Sequence, residues 1–110
     1  MCEVSGGVYK PPGAVRFESI DRRDPSLLGA KFRVDRRTGR VTGLSLFSNA
    51  DHRIVHFRNV QDIRNALEVT AITATGDTQV LSISEFEGRM TFAYFVGWHA
   101  LALAGSCKAD

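Results

Sequence analysis

The sequence has few cysteines that could cross-link a fold and few prolines that could interrupt its secondary structure. The chain has two cysteines, three prolines and one tryptophan among 110 residues. Two cysteines are too few for a disulfide-stapled miniprotein or a cysteine-based zinc site, and the overall composition excludes a collagen-like repeat. Cys2 and Cys107 lie near the two chain ends, where chains commonly fray, and they can pair only if those ends meet in space. We therefore expect reduced thiols in a cytoplasmic protein.

The short motifs of common catalytic and targeting functions are also missing. No phosphate-binding glycine loop, dinucleotide-fold glycine pattern or Gly-x-Ser-x-Gly nucleophile elbow occurs in the chain. The first fifteen residues contain neither a basic nor an apolar region, so we expect no secretory signal. We also expect no cofactor.

Two pairs of side chains are of the types that bind metals or act in catalysis, but each pair also has a purely structural interpretation. His52 and His56 lie four residues apart in a segment with strand character, which separates them by about 13 Å, too far for one metal ion. Glu85 and Glu87 share a strand face beside Gly88, where carboxylates commonly provide solubility at a hairpin end. We expect neither a metal site nor a catalytic residue.

What the sequence does contain is the composition of one globular domain. Hydrophobic residues make up 44% and charged residues 24% of the chain, which excludes a disordered tail. Gly6-Gly7 and Pro11-Pro12-Gly13 indicate a flexible segment. The expected organisation is a flexible N-terminal arm over 1–14, a single β-rich domain over 15–106 and a frayed tail over 107–110.

Alternating apolar and polar residues dominate the chain from Val15 onward and are typical of half-buried strands. Hairpin turns are indicated at Thr38-Gly39, Gly76-Asp77 and Glu87-Gly88. The segment 98–106 is rich in alanine and leucine and has no β-branched residue, a composition that favours a helix. The predicted strands cover 15–20, 31–35, 41–47, 53–58, 67–75, 78–86 and 89–96, with a helical or bent turn within 60–68.

The expected fold is mainly β. It is an antiparallel sandwich or small barrel of about seven strands with a short C-terminal helix, or alternatively an α+β fold. The inward positions of the predicted strands define the expected core. These positions are Phe32, Val34, Leu44, Leu46, Val55, Phe57, Val69, Leu81, Ile83, Phe92 and Tyr94.

Basic charge is concentrated in the first half of the chain. Residues 1–60 hold eleven Lys or Arg against six Asp or Glu, whereas residues 61–110 hold three against six. An arginine-rich surface can bind phosphate groups, whereas interleaved aspartates are typical of a plain solvated face. The candidate residues for binding a partner or an anion are Arg33, Arg36, Arg37, Arg40 and Arg53.

A long uncharged run extends from Met90 to Gly105 and holds several aromatic residues. The run is shorter than the roughly 20 residues of a membrane-spanning helix, so we expect no integral membrane span. Both faces of its strand part are apolar, which indicates that a second layer or another subunit packs there. The predicted interface residues are Phe95, Trp98, His99 and Leu101.

Two segments resemble bacterial pleckstrin-homology-like domains. They are the hairpin Phe32-Arg33-Val34-Asp35…Gly39-Arg40-Val41 and the later His56-Phe57…Val60-Gln61-Asp62-Ile63, within a likeness over roughly residues 30–100. This resemblance implies a small β-sandwich or barrel that binds peptides, lipids or partner domains. It implies no catalytic residue.

These observations favour a non-enzymatic binding or assembly module of bacterial origin. Its expected partner is another protein or a second copy of the chain, bound through residues 90–105. The alternative is a nucleic-acid-binding domain that uses the arginine-rich region 31–58. A second alternative is a small enzyme of unknown class.

Overall fold

The structure is a computed structural model, and it describes residues 1–23, 25–43, 49, 51–60, 65–97 and 100–108, with Arg22 and Arg23 described by their backbone. Nine strands lie in the described residues: β1 (Cys2–Tyr9), β2 (Glu18–Ser19), β3 (Lys31–Val34), β4 (Val41–Gly43), β5 (Arg53–Val60), β6 (Ala66–Ile72), β7 (Thr78–Phe86), β8 (Arg89–Val96) and β9 (Leu101–Cys107). One helical turn, α1 (Ile20–Arg23), and a 3₁₀ turn (Pro25–Leu27) lie between β2 and β3.

The strands form one antiparallel sheet that curls into a half-barrel around the core. Their spatial order is β4-β3-β1-β9-β8-β7-β6-β5, and β2 pairs with the end of β1. Strands β5 to β9 follow one another as hairpins, whereas β1 places the start of the chain between β9 and β3. The prediction of a mainly β, antiparallel fold is confirmed. The predicted number of strands and the predicted C-terminal helix are wrong.

Residues 2–9, predicted as part of a flexible arm, form a strand inside this sheet. Cys2 and Val4 face the core, and each is 2% exposed. Gly7 lies so close to β9 that a Cβ atom there would be 2.6 Å from the Leu103 side chain. Gly7, one of the two glycines that indicated flexibility, therefore permits close packing of two strands, and the predicted arm is wrong for this segment.

Residues 101–106, which belong to the helix predicted over 98–106, form β9 together with Cys107. Leu101, Leu103 and Cys107 are buried on the core side, while Ala102, Ala104 and Ser106 lie on the other side. β9 pairs with β8 along one edge and with β1 along the other. The helix preference of alanine and leucine amounts to less than about 1 kcal/mol per residue, and two flanking strands outweigh it.

Cys2 and Cys107 form a disulfide across a sequence separation of 105 residues. The two residues lie directly opposite each other in the register of β1 and β9. The predictions of reduced thiols and of fraying at Cys107 are therefore wrong, because the sheet brings the two ends of the described chain together. Disulfides persist mainly in oxidising compartments. The cytoplasmic location therefore loses its main support and stays a prediction.

Most of the predicted core is confirmed. The Phe32 ring lies at its centre, with its centroid 4.9 Å from that of Phe92 and 5.5 Å from that of Tyr94, both in edge-to-face geometry. Val34 is half-buried and packs against this cluster. The buried residues that were predicted are Phe32, Val69, Leu81, Ile83, Phe92 and Tyr94. Leu44 and Leu46 lie outside the described residues.

Two core predictions are wrong, and both residues lie on β5. Val55 is 45% exposed and Phe57 is 37% exposed. β5 is the last strand of the sheet, and its register with β6 shifts between Ile54 and His56. A bulge in an edge strand leaves side chains with neighbours on one side alone, so alternation by itself did not predict burial here.

Candidate functional site

Arg36 is a structural side chain of the half-barrel. Its Nη2 donates to the Asn65 carbonyl oxygen at 2.6 Å and to Asn59 Oδ1 at 3.2 Å. Asn59 Nδ2 donates in return to the Arg36 carbonyl oxygen at 2.7 Å. These contacts fasten the end of β3 to β5 and to the start of β6, at sequence separations of 23 and 29 residues.

Arg40 has a similar role around one buried amide. Its Nη1 donates to the carbonyl oxygens of Asn49 and His52, each at 2.7 Å. Asn49 is 1% exposed; its Oδ1 accepts from the Val41 amide at 2.8 Å and its Nδ2 donates to the Gly39 carbonyl oxygen at 3.1 Å. The amide of Asn49 thus acts in place of a strand partner.

The other three candidate arginines are exposed. Arg33 lies on β3 and Arg53 on β5, which are different parts of the sheet. The Arg37 side chain is 93% exposed, and its Nε lies 4.0 Å from Asp35 Oδ1. An ion pair at that distance and exposure contributes little to stability. The five arginines therefore divide into two that hold the main chain and three that are exposed.

The histidines and carboxylates do not form a reactive cluster. His56 Nε2 lies 3.6 Å from Glu68 Oε2 on the surface of β5 and β6. The His52 carbonyl oxygen is bound by an arginine, as described above, and Glu85 accepts from Asn65 Nδ2 at 2.6 Å. Within the described ranges, no three His, Cys, Asp or Glu residues come together as a metal site.

Tyr94 is the one described group with a strongly shifted pKa. Burial raises the pKa of its hydroxyl well above the ordinary value. The hydroxyl donates to Gln79 Oε1 at 2.7 Å. A neutral, hydrogen-bonded phenol in the core is a structural group rather than an acid or a base.

The most unusual surface lies on the convex side of the sheet. Outward side chains of β7, β8, β9 and β1 form two rows without a charge, which together we call the outward patch. The rows are Val80, Phe95, Ala102 and Val8, and Ser82, Ala93, Ala104 and Gly6, each in that strand order. The outward side of an antiparallel sheet is normally polar. An uncharged patch in that place commonly marks a protein contact.

The outward patch contains one of the predicted interface residues. Phe95 is 49% exposed, and Val8 in the same row is 39% exposed. Leu101, in contrast, is 8% exposed and lies on the core side of β9, so it is not part of the same surface. Trp98 and His99 lie outside the described residues.

The margin of the patch at β5 and β6 carries both signs of charge. Glu68 on β6 lies opposite Arg58 on β5, and it also approaches His56. All three side chains are exposed. The patch is therefore an uncharged area beside a margin in which acidic and basic groups are balanced.

Family models, curated proteins and solved structures give no match to this chain. In the part of the chain that the structure describes, no helix has the length and apolar content that crossing a membrane requires.

Proposed function

We propose that this protein is a non-enzymatic binding and assembly module that self-associates through the outward patch. The observation that carries the proposal is the exposure of Phe95 within an uncharged surface four strands wide. Burying apolar area contributes about 25 cal/mol per Å². About half of the Phe95 side chain is exposed to water on the side of the sheet opposite the core, and this exposure favours a protein contact on that side.

A second copy of the chain suits this surface better than a charged partner does. The patch offers no charge for a partner to complement, so the partner must bring an uncharged surface of its own. A two-fold pair supplies that surface, because the same patch then packs against itself. The margin formed by Arg58, His56 and Glu68 carries both signs, so a second copy does not repel it.

The size of the patch sets the expected strength of the association. Four strands about 4.8 Å apart, over the roughly four residues of 3.4 Å rise that two outward rows span, give about 260 Å² per copy. A pair would then bury about 520 Å², well below the 1,200 Å² or more of stable complexes. We therefore expect a weak, reversible dimer with a dissociation constant of roughly hundreds of micromolar or more.

Pairing through the sheet edge is a less favourable route to self-association. β5 is the edge beside β6, and it carries Arg53, His56 and Arg58 together with a bulge. Charged side chains and bulges are the devices with which edge strands avoid pairing with other chains. The outward patch therefore supports assembly more strongly than this edge does.

Sedimentation velocity over a wide concentration range tests the proposal. We expect the wild-type sedimentation coefficient to rise with concentration, and Phe95→Lys to abolish that rise. The matched control is Phe17→Lys, because Phe17 is 63% exposed but precedes β2 and lies outside the patch. A wild type that stays monomeric throughout, or equal effects of the two variants, would contradict the proposal.

The other functional hypotheses stay proposals with less support. The resemblance to pleckstrin-homology-like domains also supports a binding role, with a peptide, a lipid or a partner domain as ligand. Nucleic-acid binding through region 31–58 is weakened because Arg36 and Arg40 already donate to main-chain oxygens. If the protein nevertheless binds nucleic acid, the affinity must fall steeply as the salt concentration rises.

A further inference from the structure

The opposite side of the sheet holds a small cavity at the end that carries the disulfide. The cavity has a volume of about 250 Å³, and we call it the disulfide-end cavity. Its apolar lining comes from Val34, Ile83, Met90 and the Cys2–Cys107 disulfide, and its cationic lining comes from Arg36 and Lys108. A concave, mainly apolar site with a few polar groups is the usual form of a small-molecule site.

Arg36 supplies a positive charge in a fixed position at the cavity. Its Nη2 is held by Asn65 and Asn59, so the guanidinium has a fixed position. Its Nε is buried and has no hydrogen-bond partner among the described residues. A buried donor without a partner is costly, and for a charged group the cost is larger. A carboxylate in the cavity would lie beside the guanidinium that lines it, and its negative charge would offset part of that cost.

The charges around the cavity favour a negative ligand. Arg36 and Lys108 line it, and none of the described lining residues is acidic. Glu85 lies one cross-strand step from the lining residue Met90, but it accepts from Asn65 at 2.6 Å. The cavity therefore combines apolar walls with two cationic side chains.

We propose that the disulfide-end cavity binds a short aliphatic monocarboxylate, with the carboxylate on Arg36 and the chain against Val34, Ile83 and Met90. At roughly 30 Å³ for each water-sized group, the cavity holds about eight heavy atoms. Hexanoate matches that size. A ligand of so few atoms is expected to bind with a dissociation constant of about 1 mM. This site is independent of the outward patch, since it lies on the core side.

A titration followed by amide chemical shifts tests the site with three probes. Sodium hexanoate carries both the charge and the chain, hexanol carries the chain without the charge, and inorganic phosphate carries charge alone. We expect hexanoate to shift the amide resonances of Val34, Ile83 and Met90. We expect it to bind at least about tenfold more tightly than hexanol, because a hydrogen bond to a charged group contributes that much. We also expect it to bind at least about tenfold more tightly than phosphate, which carries the charge without the aliphatic chain. Equal affinities for hexanoate and hexanol would overturn the role of Arg36, and equal affinities for hexanoate and phosphate would overturn the role of the apolar walls.

Three variants complete the test. Arg36→Met should weaken hexanoate binding by about tenfold, whereas Arg58→Met, which removes an exposed arginine on the outward side of β5, should leave it unchanged.

Because Arg36 also stabilises the fold, a second variant fills the cavity and keeps the guanidinium. Val34→Phe should abolish hexanoate binding in a protein that still melts cooperatively. Unchanged affinity in a folded Val34→Phe variant, or no hexanoate binding by the wild type at about ten times the expected dissociation constant, would overturn the proposal.

Discussion

Removing the Cys2–Cys107 disulfide should lower the free energy of unfolding by several kcal/mol. The bond closes a loop across 105 residues, which is nearly the whole chain. In the chain-entropy description, a loop of that size stabilises the folded state by about 4.7 kcal/mol at 25 °C, and losses of native disulfides commonly measure about 2–5 kcal/mol. We expect the Cys2→Ala/Cys107→Ala variant to lose an amount in that range.

Urea denaturation, followed by circular dichroism, measures this loss. The oxidised wild type is compared with the double variant, and both are repeated with a reducing agent as a control. The double variant should also show a steeper dependence on urea, because its unfolded chain is less compact. A loss below about 0.5 kcal/mol, within the range of neutral surface changes, would refute the reasoning. So would a wild type whose stability the reducing agent leaves unchanged once its thiols are shown to be free.

Three further predictions concern the core. Phe92→Ala should lower the free energy of unfolding by about 3–5 kcal/mol in urea, as for other buried phenylalanines. Gly105→Ala should destabilise by more than about 1 kcal/mol in the same assay, because a Cβ there would be 2.7 Å from the Phe92 ring and would collide with the Glu3 carbonyl oxygen. The free energy of unfolding of the wild type should fall as the pH rises above about 10. The reason is that the pKa of Tyr94 is raised in the folded protein, so the phenol ionises first in the unfolded chain. The Tyr94→Phe variant should show a smaller fall over the same pH range.

Different results would contradict each of these. A Phe92→Ala loss below about 0.5 kcal/mol would mean that the inward face of β8 is assigned wrongly. Neutral behaviour of Gly105→Ala would mean that β1 and β9 do not approach as closely as described. An equal alkaline fall in wild type and Tyr94→Phe would assign the effect to groups other than Tyr94.

The sequence predicted the parts of the fold that depend on neighbouring residues. The strands expected over 78–86 and 89–96 have those same bounds in the structure, and the one expected over 31–35 corresponds to Lys31–Val34. Each of these strands belongs to a hairpin, where the alternation of side chains and a glycine in the turn are local signals.

The parts that were missed depend on residues far apart in the chain. β1 and β9 are strands because they pair with each other and with β3 and β8, and no local pattern shows that pairing. Their composition of glycine, alanine and leucine even favours other structures. The disulfide was missed for the same reason, since Cys2 and Cys107 become neighbours through that pairing.

The candidate site was predicted in part. Phe95 was singled out because both faces of its strand are apolar, and it is exposed on the outward patch. Leu101 was grouped with it because a helix was expected there. The period of two in a strand instead directs Leu101 to the core and Ala102 to the patch. The structural role of Arg36 was not visible either, because its acceptors lie 23 and 29 residues away.

Amide chemical shifts of the wild-type protein, recorded as a dilution series from millimolar to micromolar concentration, test the central claim most directly. The claim is that this chain associates with itself through the convex side of its sheet. We predict concentration-dependent shifts at Phe95, Ala102 and Val8, with the edge strand β5 unchanged. Shifts confined to β5, or spectra that do not change on dilution, would contradict it.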